Sequence, residues 1–291
     1  MTMHFRVAAI PAAETIFSHI QGQTPYEPAC RQVETKFRDV KKIELDLVDV
    51  DISALKKCVL EIIEKYGFSG WRQKDGESKT YGGFSLTYNP DHQDGTDPHV
   101  SSIGTPKNAS DEFFWAATGH HQNLKHSYFD TYGFRVRTPA SRIGALGQFI
   151  DSFKRPLVRS RVGIIPGENV DPNDAVYKEK DGWHRDEPVF ENLRINIPLQ
   201  TDNSYLFQME GEEPYHLEVG TGYTWDTHKP HRVFAAKRTK LMRIHLVLGV
   251  SPWFDFDPAQ DSWTPNDYFG QMHPFDMLAE GLISDRLRVR S

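Results

Sequence analysis

The chain has 291 residues, a formal net charge of −6 and a pI near 6.1, which allows one large domain with a sizeable core. Its basic residues are scattered, so no dedicated nucleic-acid-binding surface is expected. Only Cys30 and Cys58 are present, which excludes a disulfide framework or a thiolate zinc site and predicts a cytoplasmic location.

The first residues do not predict a targeting or membrane segment. Their short apolar run is broken at Pro11, and the mean hydropathy of the chain is −0.57, so neither a secretory signal nor a membrane span is expected. Residues 1–42 have no strong period and are interpreted as a peripheral cover.

Two helices are predicted in the N-terminal half. Alternating apolar residues predict a strand over 43–50, after which Asp51 caps an amphipathic helix that ends at Gly67. A second helix follows Pro139 and closes at Pro156. Between these helices, residues 69–128 are rich in aromatics, Gly, Asp and His. They predict long loops that either shape a ligand site or are plain surface.

From Leu157 onward the pattern is that of short strands separated by Gly, Pro, Asp and Lys turns. The predicted strands are Leu157–Ile165, Leu193–Leu199, Tyr205–Met209, Tyr215–Val219, Tyr223–Asp226, His231–Ala235 and Leu241–Val250. Such a series without helical crossovers predicts a mostly β fold with flanking helices, an antiparallel sandwich or a double-stranded β-helix (a cupin-like jelly roll).

A single domain over 1–291 is the preferred organisation. Residues 1–156 would supply N-terminal strands, helices and substrate loops, and 157–250 the jelly-roll catalytic core. Residues 251–291 would form a C-terminal tail without chemistry, weakly helical over 275–282.

A metal site is predicted at His184, Asp186 and His231. Two imidazoles and one carboxylate leave half of an octahedral sphere open, which is typical of non-haem Fe(II) oxygenases. His92-Gln93-Asp94, with His126 downstream, is a second copy of the pattern. Its surroundings favour turns, whereas metal ligands are best held on rigid elements such as the strands beside His184 and His231. His228 is an alternative distal ligand, ranked lower because it lies in a turn.

Arginines on the same strands suggest an anionic ligand. Arg243 lies in an apolar strand after His231, where a guanidinium could grip a carboxylate by two hydrogen bonds. On the strand pattern alone, an arginine on an edge strand that faces solvent is an equally good interpretation. The position of Arg243 after His231 is what favours the ligand-binding interpretation. Arg194 and Asn196 are two residues apart, so they share a strand face and could address the other end of that ligand. His245 and Asp226 are candidates for orienting the metal ligands.

The ordered motifs resemble the aspartyl/asparaginyl β-hydroxylase family of Fe(II)- and 2-oxoglutarate-dependent dioxygenases, and the bacterial proline cis-4-hydroxylases look similar over the same stretch. The pieces that carry the resemblance are Ile165-Pro166-Gly167, His184, Asn192 to Leu199, Trp225-Asp226, Pro230 to Val233 and Arg243 to Val247. It implies iron on His184, Asp186 and His231, the distal 2-oxoglutarate carboxylate on Arg243, and a further co-substrate or substrate contact at Arg194.

What the resemblance implies is hydroxylation of an unactivated C–H bond of a small amino-acid-like substrate by O₂, with 2-oxoglutarate decarboxylated to succinate and CO₂. The aspartyl hydroxylases proper lack the carboxylate ligand, so Asp186 brings the chain closer to the free amino-acid hydroxylases. It also favours hydroxylation over halogenation. A longer segment, 168–181, departs from the family pattern before His184.

Three alternatives remain open: the same chemistry on a peptide or protein side chain, a cupin-type metalloenzyme that does not use 2-oxoglutarate, and a binding module with a decayed site. Candidate substrate contacts are Trp71, Tyr81, Tyr88 and Trp183, for each of which core packing is the commoner role. No membrane or nucleic-acid partner is expected, and the sequence makes no prediction of the oligomeric state.

Overall fold

The computed structural model describes residues 4–6, 30, 33, 42–73, 76–90, 131–167 and 183–290, and within 69–81 the backbone alone. The helices are α1 (Ile52–Tyr66), α2 (Gly144–Ile150) and α3 (Pro274–Ala279), with 3-10 turns at Thr131–Gly133 and Pro139–Arg142. The strands are β1 (Ile43–Leu47), β2 (Ser69–Gln73), β3 (Gly76–Ser85), β4 (Thr87–Tyr88), β5 (Val136–Arg137), β6 (Leu157–Ile165), β7 (Leu193–Gln200), β8 (Tyr205–Met209), β9 (Thr221–Thr224), β10 (His231–Ala235), β11 (Arg243–Val250), β12 (Phe254–Asp257), β13 (Ser262–Pro265) and β14 (Leu287–Val289).

One large antiparallel sheet dominates the described part of the chain. It has eight strands in the order β14-β1-β9-β7-β11-β6-β3-β2. Because β11 lies between β6 and β7, His245 has Gly163 as its Cα partner on one side and Pro198 on the other. The mostly β character predicted from the sequence is therefore confirmed.

The large sheet has one apolar face and one face that carries polar groups. On β11, Ile244, Leu246 and Leu248 are fully buried in the main core. Since strand residues alternate, Arg243 and His245 point to the opposite face. The polar and titratable side chains of β11 therefore lie on one face of the strand.

Helix α1 packs on the apolar face of the sheet. Its sequence provides caps at both ends, which define the helix, and an apolar stripe, which packs on the sheet. The Asp51 side chain accepts a hydrogen bond from the Ala54 N–H at 2.9 Å, which satisfies one of the free donors at the helix start. Gly67 ends the helix at φ 75°, a conformation that favours glycine. Leu55 and Val59 are buried in the same core as the inner residues of β7 and β11. The predicted helix and its caps are confirmed.

A small two-stranded sheet, β8 with β10, covers the polar face. Tyr205 and Ala235 of the small sheet pack on Ile165 of β6, and Phe207 packs on Trp225 with ring centroids 4.2 Å apart. The space between the two sheets is therefore lined by β6, β7, β9 and β11 on one side and by β8 and β10 on the other.

Some predicted elements differ from the structure. Tyr215–Val219 is not a strand: Tyr215 makes one isolated bridge with Phe207, and the Glu218 N–H donates to the Tyr223 hydroxyl instead of a neighbouring strand. Part of the region predicted as loops is strand, namely β2, β3 and β4, and most of the remainder lies outside the described residues.

Residues 251–290 extend the main core. Trp253 and Trp263 are fully buried, and β14 pairs with β1. The weak helix predicted over 275–282 is present as α3. The boundaries between the three predicted parts of the chain stay predictions.

No helix within the described ranges combines the length and apolarity needed to cross a bilayer.

Candidate metal centre

Backbone pairing brings the two predicted histidine ligands together. The His184 N–H donates to the His231 carbonyl and the His231 N–H to the His184 carbonyl, each at 3.0 Å. The two imidazole centroids lie 4.4 Å apart. Asp186 is held by its own N–H, which donates to the Thr227 carbonyl at 2.9 Å. Two antiparallel segments that are distant in sequence thus present all three side chains at one place.

The three ligand atoms converge. Asp186 Oδ2 lies 3.5 Å from His231 Nε2 and 3.9 Å from His184 Nε2, and one donor atom from each residue lies within 4.8 Å of the others. Neighbouring ligands bonded to a common ion at about 2.1 Å would be about 3 Å apart. Movements of about 1 Å or less per side chain would close that difference. The group could hold a single metal ion, and it is the one such His/Cys/Asp/Glu group among the described residues.

The Nδ1 atom of the His231 ring is hydrogen-bonded, so the ring is oriented with Nε2 available as a metal ligand. Its Nδ1 donates to the Lys229 carbonyl at 2.9 Å, which leaves the lone pair on Nε2 and fixes the ring orientation. The His231 side chain is buried, whereas the His184 side chain is 52% exposed. The site is therefore anchored inside the protein at His231 and open at His184.

Arg194 pairs with the carboxylate of the triad. Its guanidinium donates to Asp186 Oδ2 at 2.5 Å and to Glu187 Oε2 at 2.7 Å, while Arg159 bonds the other oxygen of Glu187. Burial by itself would raise the pKa of Asp186, but the nearby positive charge of Arg194 outweighs it and holds that pKa well below the usual range. For Glu187, Arg159 and Arg194 outweigh burial and lower the pKa to about 2. Both carboxylates are therefore ionised at neutral pH.

Arg243 lies on the same sheet face but outside the triad. It is 7% exposed, it is the Cα partner of Ile165, and its Nη2 is 3.0 Å from His245 Nδ1. Asn196 shares the face of Arg194 and is the Cα partner of Val247 and Tyr223. A buried guanidinium on this face fits an anion bound between the two sheets.

Sequence reasoning missed the charged residues Arg159, Arg161 and Glu187. The signal was Arg-x-Arg inside an otherwise apolar strand, which places both guanidiniums on one face of β6. Burial and then repulsion by Arg194 lower the pKa of Arg161 to about 9. With Arg194, these residues put three cations beside the carboxylates of Asp186 and Glu187, counted over the described residues alone.

Other candidates are placed elsewhere. His228 is exposed, and its backbone N–H donates to Asp226 Oδ1 at 3.1 Å within a turn. Neither residue belongs to the candidate metal group. His245 contacts Arg243 and not a metal ligand. The second pattern, His92 and Asp94 with His126, lies outside the described residues.

The aromatic residues considered as substrate contacts are only partly described. The Trp183 ring stacks under Arg232, whose guanidinium carbon is 4.5 Å from the ring centroid, and Tyr88 lies in β4. The side chains of Trp71 and Tyr81 are outside the described part of the structure.

No protein-family model matches the sequence, and no curated protein matches it. Among solved structures, the chain is similar to a prolyl hydroxylase in complex with a hypoxia inducible factor oxygen degradation domain peptide fragment from Trichoplax adhaerens, at 12% identity and a TM-score of 0.35, covering 82% of this chain and 94% of that chain. It is also similar to the DMSP lyase DddQ from Ruegeria pomeroyi DSS-3, at 20% identity and a TM-score of 0.22, covering 38% of this chain and 51% of that chain. Likenesses this loose assign no family.

Proposed function

We propose that the protein is an Fe(II)- and 2-oxoglutarate-dependent dioxygenase that hydroxylates a small amino-acid-like substrate on a double-stranded β-helix. The observation that carries this proposal is the convergence of His184, Asp186 and His231 within 4.8 Å. The resemblance to the aspartyl/asparaginyl β-hydroxylase family supports it, since each ligand that the resemblance implies is one of these three residues.

The donor set fits iron better than the common alternatives. Two neutral imidazoles and one carboxylate with open positions suit a non-haem Fe(II) ion, whereas closed structural zinc sites use four protein ligands. When bound, Fe(II) with 2-oxoglutarate and O₂ supplies the oxidising power to hydroxylate an unactivated C–H bond, giving succinate and CO₂.

The protein's own residues hold and orient these groups. Arg194 keeps Asp186 ionised and aims its carboxylate at the two histidines, and the Lys229 carbonyl accepts from His231 Nδ1 and so orients that ring with Nε2 toward Asp186. Arg243 offers a buried cation for the distal carboxylate of the co-substrate. The packed aromatic residues of β8, with Trp225, exclude water from this side of the site.

The experiment is aerobic incubation with Fe(II), 2-oxoglutarate and a panel of amino acids, reading succinate and hydroxylated product. We expect succinate only when Fe(II), 2-oxoglutarate and O₂ are all present, and loss of succinate in His231→Ala and Arg243→Met. His228→Ala and Arg155→Met are matched controls that should retain it. Metal-dependent turnover of a substrate without any succinate, unchanged in Arg243→Met, would instead identify a cupin-type metalloenzyme.

A peptide or protein side chain is the second candidate substrate class. The half-exposed His184 leaves the metal group open to solvent on one side, and a larger substrate could reach it there. Peptides added to the same panel separate the two classes, since the amino-acid proposal predicts product with free amino acids and none with peptides.

A further inference from the structure

His245 is a buried histidine with an unusual arrangement of its two nitrogens. It is 1% exposed and lies two residues after Arg243 on the same face of β11. Its Nδ1 is 3.0 Å from Arg243 Nη2. A guanidinium has donors and no acceptor, so Nδ1 must accept this hydrogen bond. A neutral imidazole that accepts through Nδ1 carries its proton on Nε2.

The surroundings keep this ring neutral. Burial, then the charge of Arg243 and then His216 lower the pKa of His245 well below its usual value. Among the described residues, His216 of the segment before β9 is the second titratable group that acts on this pKa, and the Cα partners of His245 on the flanking strands are Gly163 and Pro198. His245 Nε2 is therefore a hydrogen-bond donor at any pH near neutrality.

That donor has no hydrogen-bond partner among the residues that the structure describes. Buried donors are nearly always paired, because an unpaired N–H inside a protein has lost its hydrogen bonds to water without replacement. An unsatisfied donor next to a buried guanidinium therefore points to an acceptor that comes from outside the chain.

The sheet face has room at the position that pairs with His245. Gly163, the Cα partner of His245, is partly exposed even though its neighbours Val162 and Ile164 are fully buried on the other face. A Cβ added at Gly163 would meet only Val247 Cγ2 at 3.8 Å and the His245 carbonyl at 4.0 Å. The face of the sheet is thus open next to His245.

We propose that His245 is a second ligand of the anionic co-substrate: its Nε2–H donates to the carboxylate that Arg243 binds, while its Nδ1 fixes the Arg243 guanidinium. This inference rests on the proposed function and makes it more specific. The pair Arg243 and His245 selects a 2-oxo acid with a second, distal carboxylate over one that ends in an apolar group.

Two substitutions separate the two nitrogens. The amide of Asn reaches the position of Nδ1, so His245→Asn can still accept from Arg243 but offers no donor to the ligand. The longer amide of Gln reaches the position of Nε2, so His245→Gln keeps that donor and loses the contact with Arg243. If His245 only positions Arg243, co-substrate binding should be weaker in His245→Gln than in His245→Asn. If His245 binds the co-substrate itself, binding should be weaker in His245→Asn.

The readout is binding, measured by calorimetry without O₂, with Mn(II) in place of iron. Two probes are compared: 2-oxoglutarate, and 2-oxopentanoate, in which a methyl group replaces the distal carboxylate. We expect His245→Asn to weaken 2-oxoglutarate binding by about 10- to 100-fold, the range for one hydrogen bond to a charged group. Its affinity for 2-oxopentanoate should be unchanged, and His245→Gln and the exposed control His228→Asn should bind 2-oxoglutarate nearly as well as wild type.

A measurement on the wild-type protein covers the case in which a variant does not fold. In protein labelled with ¹⁵N-histidine, the His245 Nε2–H signal should shift with 2-oxoglutarate and not with 2-oxopentanoate. Equal binding of 2-oxoglutarate by wild type and His245→Asn, or an unmoved signal, would overturn this inference while Arg243→Met still loses affinity. A wild-type protein that binds neither probe would overturn the proposed function as well.

Discussion

Replacing Arg194 by Met should destabilise the metal-free protein far more than an ordinary loss of a salt bridge. The Arg194 side chain is 4% exposed, and its partners Asp186 and Glu187 are 20% and 14% exposed. The substitution keeps the length of the side chain but leaves Asp186 without its closest cation, while Arg159 still neutralises Glu187. Breaking a buried pair by removing one partner costs about 3–5 kcal/mol.

The assay is urea unfolding at neutral pH, with Arg155→Met as the matched control. Arg155 pairs with Asp255, whose side chain is 47% exposed, so its loss should cost less than about 1 kcal/mol. Saturating Mn(II) should narrow the difference between Arg194→Met and wild type, because a bound cation takes over the role of partner to Asp186. A loss in Arg194→Met no larger than in the control would refute the idea that Arg194 neutralises the metal-binding carboxylate.

Three further outcomes follow. The pKa of His245 is lowered in the folded state, so the unfolded chain takes up a proton that the folded one does not. The free energy of unfolding should therefore fall below about pH 6.5 by up to about 1.4 kcal/mol per pH unit, and urea titrations should show a shallower fall in His245→Gln. Gly167→Ala should lose about 1–3 kcal/mol in the same assay, because its Cβ would lie 2.2 Å from the Lys240 carbonyl, whereas Gly163→Ala has room and should be nearly neutral. Gly163→Leu should fold but fail to bind 2-oxoglutarate in calorimetry, since its side chain fills the open space beside His245.

The parts of the fold that sequence reasoning predicted are those in which local signals agree. In α1, the apolar spacing, the Asp51 cap and the terminal Gly67 all indicate the same helix, and Leu157–Ile165 and His231–Ala235 are short segments bounded by turn residues such as Pro156, Pro166 and Pro230. These elements have the predicted type and nearly the predicted bounds.

Elsewhere, long-range pairing overrides the local pattern. Gly82 and Gly83 are turn-forming residues, yet they lie in β3 because Ile164 and Gly163 of β6 pair with them. The segment after Tyr215 has a strand-like composition, but the Tyr223 hydroxyl takes the backbone N–H of Glu218. Neither contact can be inferred from neighbouring residues along the chain.

The three candidate metal ligands were predicted from the strands that flank them. The ion pairs around them were not predicted. His184, Asp186 and His231 were preferred because rigid strands flank them, and the structure places them together. Arg194 was expected to contact co-substrate or substrate, and that role stays a prediction; within the protein its guanidinium donates to Asp186 and Glu187. Arg194 can pair with Asp186 and Glu187 only because β7 lies beside the segment that follows His184. Strand periodicity predicts which face Arg194 is on, but not which segment lies beside that face.

The most direct test of the metal-centre claim is a calorimetric titration of the wild-type protein with Fe(II) under argon. Binding of one ion per chain is expected, lost in His231→Ala, weakened in Asp186→Asn and unchanged in His228→Ala. A wild-type protein that binds no ion, or a His231→Ala variant that binds iron as tightly as wild type, would contradict the assignment of His184, Asp186 and His231 as the ligands of one metal.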